Sequence, residues 1–271
     1  MSSPIPTLNL GNGKRGLSYG NNTYTDYFAL SDQNSHVSWA YNYFSLPDAS
    51  DGGLNPALAF VPMLFSDAPA LTSVFAANVN ASIALHGTDS ILSFNEPDSC
   101  FGGSACMTVN ESVAAYRAYV QPLAGRVLLG APAVTNGGPP GSLTYLANFL
   151  GNCTGCTIDF VPIHWYASAY NEAYFQQYIA QAYNISGGRP LWVTEFGMDQ
   201  DYYDPDVQTF IEASLAFLDG TPYVQRYAYF GAYPNDLSNS LGYPASKGLL
   251  ISNAGTGLSA EGVIFNNYTA G

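Results

Sequence analysis

"LSFNEPDSC" (92–100) and "PLWVTEFGMD" (190–199) decide how this chain is read. Each is a run of strand-forming residues that delivers a glutamate, Glu96 in one and Glu195 in the other. Charged residues are only 10% of the 271 positions, so two apolar strands that each end on a carboxylate call for a reason. Near-continuous apolar runs of this kind fit a parallel sheet covered on both faces.

Six further runs of the same type lie around these two: "RGLSYG" from Arg15, "VSWAYNY" from Val37, "LAFVPMLF" from Leu58, "RVLLGAPAV" from Arg126, "IDFVPIHWYA" from Ile158 and "QRYAYFGA" from Gln225. Their length and β-branched or aromatic content predict buried strands. Helix-like segments separate several of them. "TVNESVAAYRAYVQPLAG" places Val109, Val113, Tyr116, Val120 and Leu123 on one face, with a Thr108–Glu111 capping box at its start and Gly125 past its end. "NEAYFQQYIAQAYNISGG" and "DPDVQTFIEASLAFLDG" follow the same rule, and helices are also expected over 66–87 and 142–151. Eight strands alternating with helices predict an α/β fold of the (β/α)8 TIM-barrel type, spanning 15–271 as one domain behind a tail at 1–14. A doubly wound open sheet is the alternative. It calls for a glycine-rich first turn, whereas "GLSYGNN" contains no Gly-x-Gly-x-x-Gly.

Composition narrows the partners. Net charge is -13 with seven Lys and Arg, which argues against nucleic acid and anionic membranes. No stretch approaches the ~18 apolar residues of a membrane span. A monomer is expected. The 21 tyrosines can fill a core or line a groove for sugars, whose C–H faces stack on rings. Cys100 with Cys106 and Cys153 with Cys156 lack the spacing of a zinc array, and local disulfides in an oxidising compartment fit better. Sequons at Asn21, Asn80, Asn110, Asn152, Asn184 and Asn267 agree with secretion. The first residues hold no apolar signal core and read as the start of a mature domain. No feature calls for a metal or cofactor.

In such a barrel, chemistry sits at the carboxyl ends of the strands. Glu96 ends the fourth run and Glu195 the seventh, so both can face one cleft. Two carboxylates flanking a pocket are what glycoside hydrolysis requires: one donates a proton to the leaving oxygen, the other attacks the anomeric carbon or activates water. On the sixth run His164 and Tyr166 share a face, with Trp165 pointing the other way into packing. Tyr43 and Phe44 on the second run, and Tyr229 and Phe230 on the eighth, are candidate sugar platforms. Asp98, Asp199 and Asp201 follow the catalytic ends and are expected to be solvated.

"FNEPD" and "WVTEFG" resemble the two glutamate motifs of clan A retaining glycoside hydrolases. From "RGLSYG" to "GLSAEG" the chain resembles the fungal cell-wall group classed as glycoside hydrolase family 128. The resemblance implies a secreted β-1,3-glucanase, endo-acting rather than exo-acting, whose partners are β-1,3-glucan or its oligosaccharides. It further implies Glu96 as acid/base, Glu195 as nucleophile, Asn95 as a ligand to sugar hydroxyls, and His164 and Tyr166 beside the substrate. Two carboxylates would serve another β-glycan equally well. A non-catalytic glucan-binding protein on the same barrel is the reading from a different class; it would keep the rings and lose a carboxylate.

Overall fold

The computed structural model describes residues 13–234 and 249–269. Most of the expected tail at 1–14 and part of the segment after the eighth strand lie outside them. All eight expected strands form: β1 (Arg15–Tyr19), β2 (Val37–Tyr41), β3 (Ala59–Phe60), β4 (Ser90–Ile91), β5 (Leu128–Leu129), β6 (Val161–Ala167), β7 (Leu191–Met198) and β8 (Val224–Ala232). Parallel pairing runs β3-β2-β1-β8-β7-β6, with β4-β5 as a separate pair. Isolated parallel bridges join the two sheets. Met63 meets Leu92 between β3 and β4, and Gly130 meets Phe160 between β5 and β6. The order therefore runs β1 to β8 around a ring, as the alternation predicted. Strands β3 and β5 are short for a local reason. Pro62 and Pro132 stand in these runs, and a proline cannot donate to a ladder.

The helices are α1 (Pro69–Leu85), α2 (Val109–Ala115), α3 (Ser142–Asn152), α4 (Glu172–Ile185), α5 (Asp204–Gly220) and α6 (Ala260–Asn267). The Thr108–Glu111 capping box forms in both directions. Beyond α2 the chain passes through a π turn at Tyr116–Val120 and a 3-10 turn at Gln121–Leu123. Pro122 ends regular helical bonding there, and Gly125 takes the left-handed conformation that follows. No helix among the described residues is long and apolar enough to cross a membrane. Cys100 pairs with Cys106 and Cys153 with Cys156.

Two apolar layers hold the ring. The inner one contains Trp39, Tyr41, Val61, Met63, Leu92, Phe160, Trp192 and Ala228. Trp192 stacks on Phe160 at 3.9 Å, and the Arg226 guanidinium lies over its ring at 4.6 Å while holding Asp89 through two hydrogen bonds. Burying one such ring removes about 150–250 Å² from water, at most roughly 4–6 kcal/mol. The outer layer lies between strands and helices. It includes Trp165, packed on Phe175 and Phe210 as its parity predicted.

The eighth strand corrects one expectation. Tyr229 is 1% exposed and packs on Phe196 of β7 and Phe265 of α6. Its face of β8 meets the helix layer, so it is core and not a sugar platform.

Candidate active site

Glu96 follows β4 with φ 47°, a left-handed backbone that a non-glycine residue adopts only where its surroundings impose it. Its N–H donates to Ala133 O at 2.8 Å, which fixes the turn against the β5 side. The carboxylate then accepts from Ser104 Oγ at 2.9 Å on Oε2 and lies 2.9 Å from His164 Nδ1 on Oε1. Ser104 belongs to the loop closed by the Cys100–Cys106 disulfide. The same loop supplies Gly103 O, which accepts from Asn95 Nδ2 at 2.9 Å, and Ala105 N, which donates to Asn95 O.

Glu195 reaches the cleft through an irregularity in β7. Ile163 of β6 pairs with Val193 and His164 pairs with Glu195, leaving Thr194 as an extra residue on the β7 side. A bulge of this kind re-aims side chains. Here it lets two consecutive residues serve one pocket. Thr194 Oγ1 lies 3.0 Å from His164 Nε2, and Glu195 meets the other side of the same imidazole, with Oε2 at 3.5 Å from Nδ1. Three phenols donate to Glu195: Tyr166 to Oε2 at 2.6 Å, Tyr43 to Oε1 at 2.8 Å and Tyr41 to Oε1 at 3.3 Å. Tyr43, like Glu96, has a left-handed backbone, φ 64°.

His164 is fully buried, Glu195 is 3% exposed and the Glu96 side chain is 17% exposed. One atom from each of the three groups falls within 4.8 Å of the others, so a carboxylate oxygen of Glu96 lies within that distance of one on Glu195. The trio could ligate a cation; Nδ1 hydrogen-bonds Glu96 at 2.9 Å and lies 3.5 Å from Glu195. Burial pushes the Glu195 carboxyl above its ordinary value, against the pull of His164 and the phenols. Burial also acts upward on Glu96, yet the His164 hydrogen bond and charge, with the Ser104 hydroxyl, leave it below its ordinary value. Burial acts downward on His164, and the two carboxylates outweigh it, so the imidazole titrates above its ordinary value. These shifts make the imidazole more basic, and Glu96 more acidic, than the free side chains.

Of the residues proposed from sequence, Glu96, Glu195, His164, Tyr166 and Tyr43 converge on one cluster. Tyr43 enters it as a hydrogen-bond donor. Phe230 closes the wall beside it, packed on Tyr166 and Tyr233. Phe44 follows Tyr43 and is 37% exposed. Asn95 is buried, with its amide turned to its own loop. Asp98, expected to be solvated, instead accepts from Thr135 N and Oγ1 and from Ser142 N, tying the loop after β4 to the start of α3. Sequence reasoning missed Tyr41, Thr194 and Ser104. Tyr41 shares parity with Trp39 and Tyr43, which is a usable signal; for the two hydroxyls there was none.

The family model described as "Glycosyl hydrolase catalytic core" matches residues 16–265. Alkali-sensitive linkage protein 1 of Schizosaccharomyces pombe is 33% identical over 266 residues, covering 93% of this chain and 44% of that protein. The chain thus spans less than half the length of that curated relative. A curdlan-specific exo-β-1,3-glucanase of Blastomyces gilchristii, of subgroup III of glycoside hydrolase family 128, was crystallised with glucose. It superposes with TM-score 0.79 at 32% identity, over 96% of this chain and 100% of that one. An endo-β-1,3-glucanase of Lentinula edodes, of subgroup IV, superposes with TM-score 0.77 at 26% identity, over 93% and 98%.

Proposed function

The chain belongs to the glycosyl hydrolase catalytic core family, within glycoside hydrolase family 128, and from that membership we propose that it is a retaining β-1,3-glucanase. The observation that carries the mechanism is the spacing of the two carboxylates. Oxygens of Glu96 and Glu195 lie within 4.8 Å through a shared imidazole. Retaining enzymes hold their carboxyls about 5–5.5 Å apart, and inverting ones need roughly 6.5–9.5 Å to admit water.

On this reading Glu195 attacks the anomeric carbon and Glu96 protonates the departing oxygen. The phenols of Tyr41, Tyr43 and Tyr166 aim the Glu195 carboxylate and keep it ionised despite its burial. Glu96 delivers the proton it shares with His164 across the Nδ1–Oε1 hydrogen bond: that proton passes through Glu96 to the departing oxygen, leaving Glu96 ionised and His164 neutral. In the second half-reaction Glu96 takes a proton from water, which attacks the glycosyl-enzyme and frees Glu195, and that proton restores the Nδ1–Oε1 hydrogen bond. Thr194, at the other ring nitrogen, holds the imidazole plane through both halves.

The β-1,3 linkage is carried by the likeness to the two glucanases. Endo action is the primary reading. Exo action is the second, favoured by the higher identity to the Blastomyces enzyme. The two disulfides support action in an oxidising compartment outside the cell. Proton NMR during the first minutes of laminarin hydrolysis tests the mechanism. A β-anomer as first product is expected; an initial α-anomer would overturn the role of Glu195. Binding without any release of reducing ends would overturn the hydrolase in favour of a glucan-binding protein.

A further inference from the structure

Ala167 ends β6 and Met198 ends β7, the strands that carry His164, Tyr166 and Glu195. The loops that follow are tied together, with Asp199 N donating to Ala167 O at 3.1 Å. Tyr170 stands on the first of them, 70% exposed. Isolated exposed rings are ordinary, but this one is held. Its hydroxyl donates to Asp206 Oδ2 at 2.7 Å, its backbone N–H to Ser168 Oγ, and its ring meets the Tyr202 ring edge-on, 5.9 Å between centroids at 89°. Tyr202 is in turn half-buried against the outer core and donates to Asp199 Oδ1 at 2.8 Å. A surface ring held at its tip by Asp206 and against a second ring, yet 70% exposed, is arranged to receive something flat.

We propose that Tyr170, braced by Tyr202, is a stacking platform at the rim of the cleft for outer residues of a neutral glucan chain whose inner residues lie at Glu96 and Glu195. The charge around it selects the ligand class. No Lys or Arg occurs between Arg189 and Arg226 or between Arg126 and Arg189, while Asp199, Asp201, Asp204 and Asp206 surround the second loop. Phosphate-bearing polymers and anionic surfaces are repelled there. A sugar offers C–H faces to the ring and hydroxyls to carboxylates. Continuity with the cleft through β6 and β7 makes the same polysaccharide the occupant. This inference rests on the glycan reading of the site, and the test separates the two.

Glu195→Gln in the full chain serves as the binding form, titrated calorimetrically with long laminarin and with laminaritriose. Adding Tyr170→Ala should raise the ratio of the long-chain Kd to the trisaccharide Kd about fivefold, the scale of one aromatic contact. Tyr170→Trp should restore the ratio, and Tyr170→Leu, which keeps bulk without a flat face, should not. Circular dichroism checks each variant, and the Leu variant serves if the Ala variant fails to fold. An unmoved ratio overturns the platform even where wild-type protein hydrolyses glucan. A moved ratio in a protein that hydrolyses no glucan sustains the platform and removes the hydrolase reading. Loss of polylysine binding in Tyr170→Ala with glucan binding intact would overturn the proposal and assign the patch to its carboxylates.

Discussion

Replacing Tyr166 by Phe removes one hydroxyl and leaves the ring where it packs on Phe230. That hydroxyl makes the shortest of the three bonds to Glu195, 2.6 Å against 2.8 Å and 3.3 Å. A hydrogen bond to a charged group is worth about 1.5–3 kcal/mol net. The two half-reactions do not lose it equally. In glycosylation Glu195 surrenders its charge, so a less stabilised carboxylate attacks no more slowly. In deglycosylation Glu195 departs as an anion and needs the donor. If about half the charge has developed at that transition state, the loss is near 0.75–1.5 kcal/mol, roughly fourfold to thirteenfold in the deglycosylation rate. Stopped-flow measurement on an activated aryl β-glycoside of the glucan, whose aglycone leaves readily, separates the steps. Tyr166→Phe should give a burst of aglycone followed by a steady state slower than wild type. The phenol also pulls the Glu195 carboxyl down. Without it that group titrates higher, and the acidic limb of kcat/KM moves to higher pH. A steady-state rate and an acidic limb both unchanged would refute the view that this hydroxyl holds the nucleophile as an anion.

Three further outcomes are expected. Burial holds the Glu195 carboxyl above its ordinary value in the folded state, so its contribution to stability is present below the unfolded-state value and is lost as pH rises through the folded-state one; Glu195→Gln should therefore melt higher than wild type at neutral pH, and scanning calorimetry should show that gain shrinking as pH falls through the folded-state value and gone by the ordinary glutamate range. Replacing Cys100 and Cys106 by Ser opens a small loop, with a separation of six residues, worth about 2 kcal/mol, yet kcat should fall more than the small drop in melting temperature suggests, because Ser104 and Gly103 hold Glu96 and Asn95 from that loop; unchanged kcat would show that the loop does not position the acid. Tyr229→Ala should cost about 3–5 kcal/mol in denaturant unfolding, like other large-to-small core changes, while its folded fraction binds laminarin as wild type does; selective loss of binding would return Tyr229 to the cleft.

Much of this was legible in the chain because burial leaves a strong mark. The eight strands showed as apolar runs, and both glutamates as polar residues at their ends. Trp165, and the pair His164 and Tyr166, followed from parity alone. Tyr229 was misjudged because parity groups residues by face without saying which face is inside. In β8 the inward positions include Arg226 and Ala228, unremarkable as sugar ligands, while the rings at 227 and 229 pack outward. Ser104 and Thr194 were invisible for another reason. A hydroxyl acquires a role only from the atom placed opposite it, and those atoms come from β4 and β6, far away in sequence. Asp98 was misread for the same cause, since its three donors lie near α3.

The extra residue at Thr194 has a consequence for how this site could be inherited or transplanted. Side chains on a strand alternate with period two, so every residue after a one-residue shift changes sides. Removing Thr194 would restore regular alternation, leaving Glu195 opposite His164 and Phe196 against Phe175, and would take away only the hydroxyl at Nε2. Glu195 can thus be kept without the residue that steadies His164, but the two face one pocket together only through a change in chain length. Substitutions can vary the chemistry at either position, but no substitution can move the pair to a regular strand. A graft of both residues onto another barrel would have to carry the insertion with it.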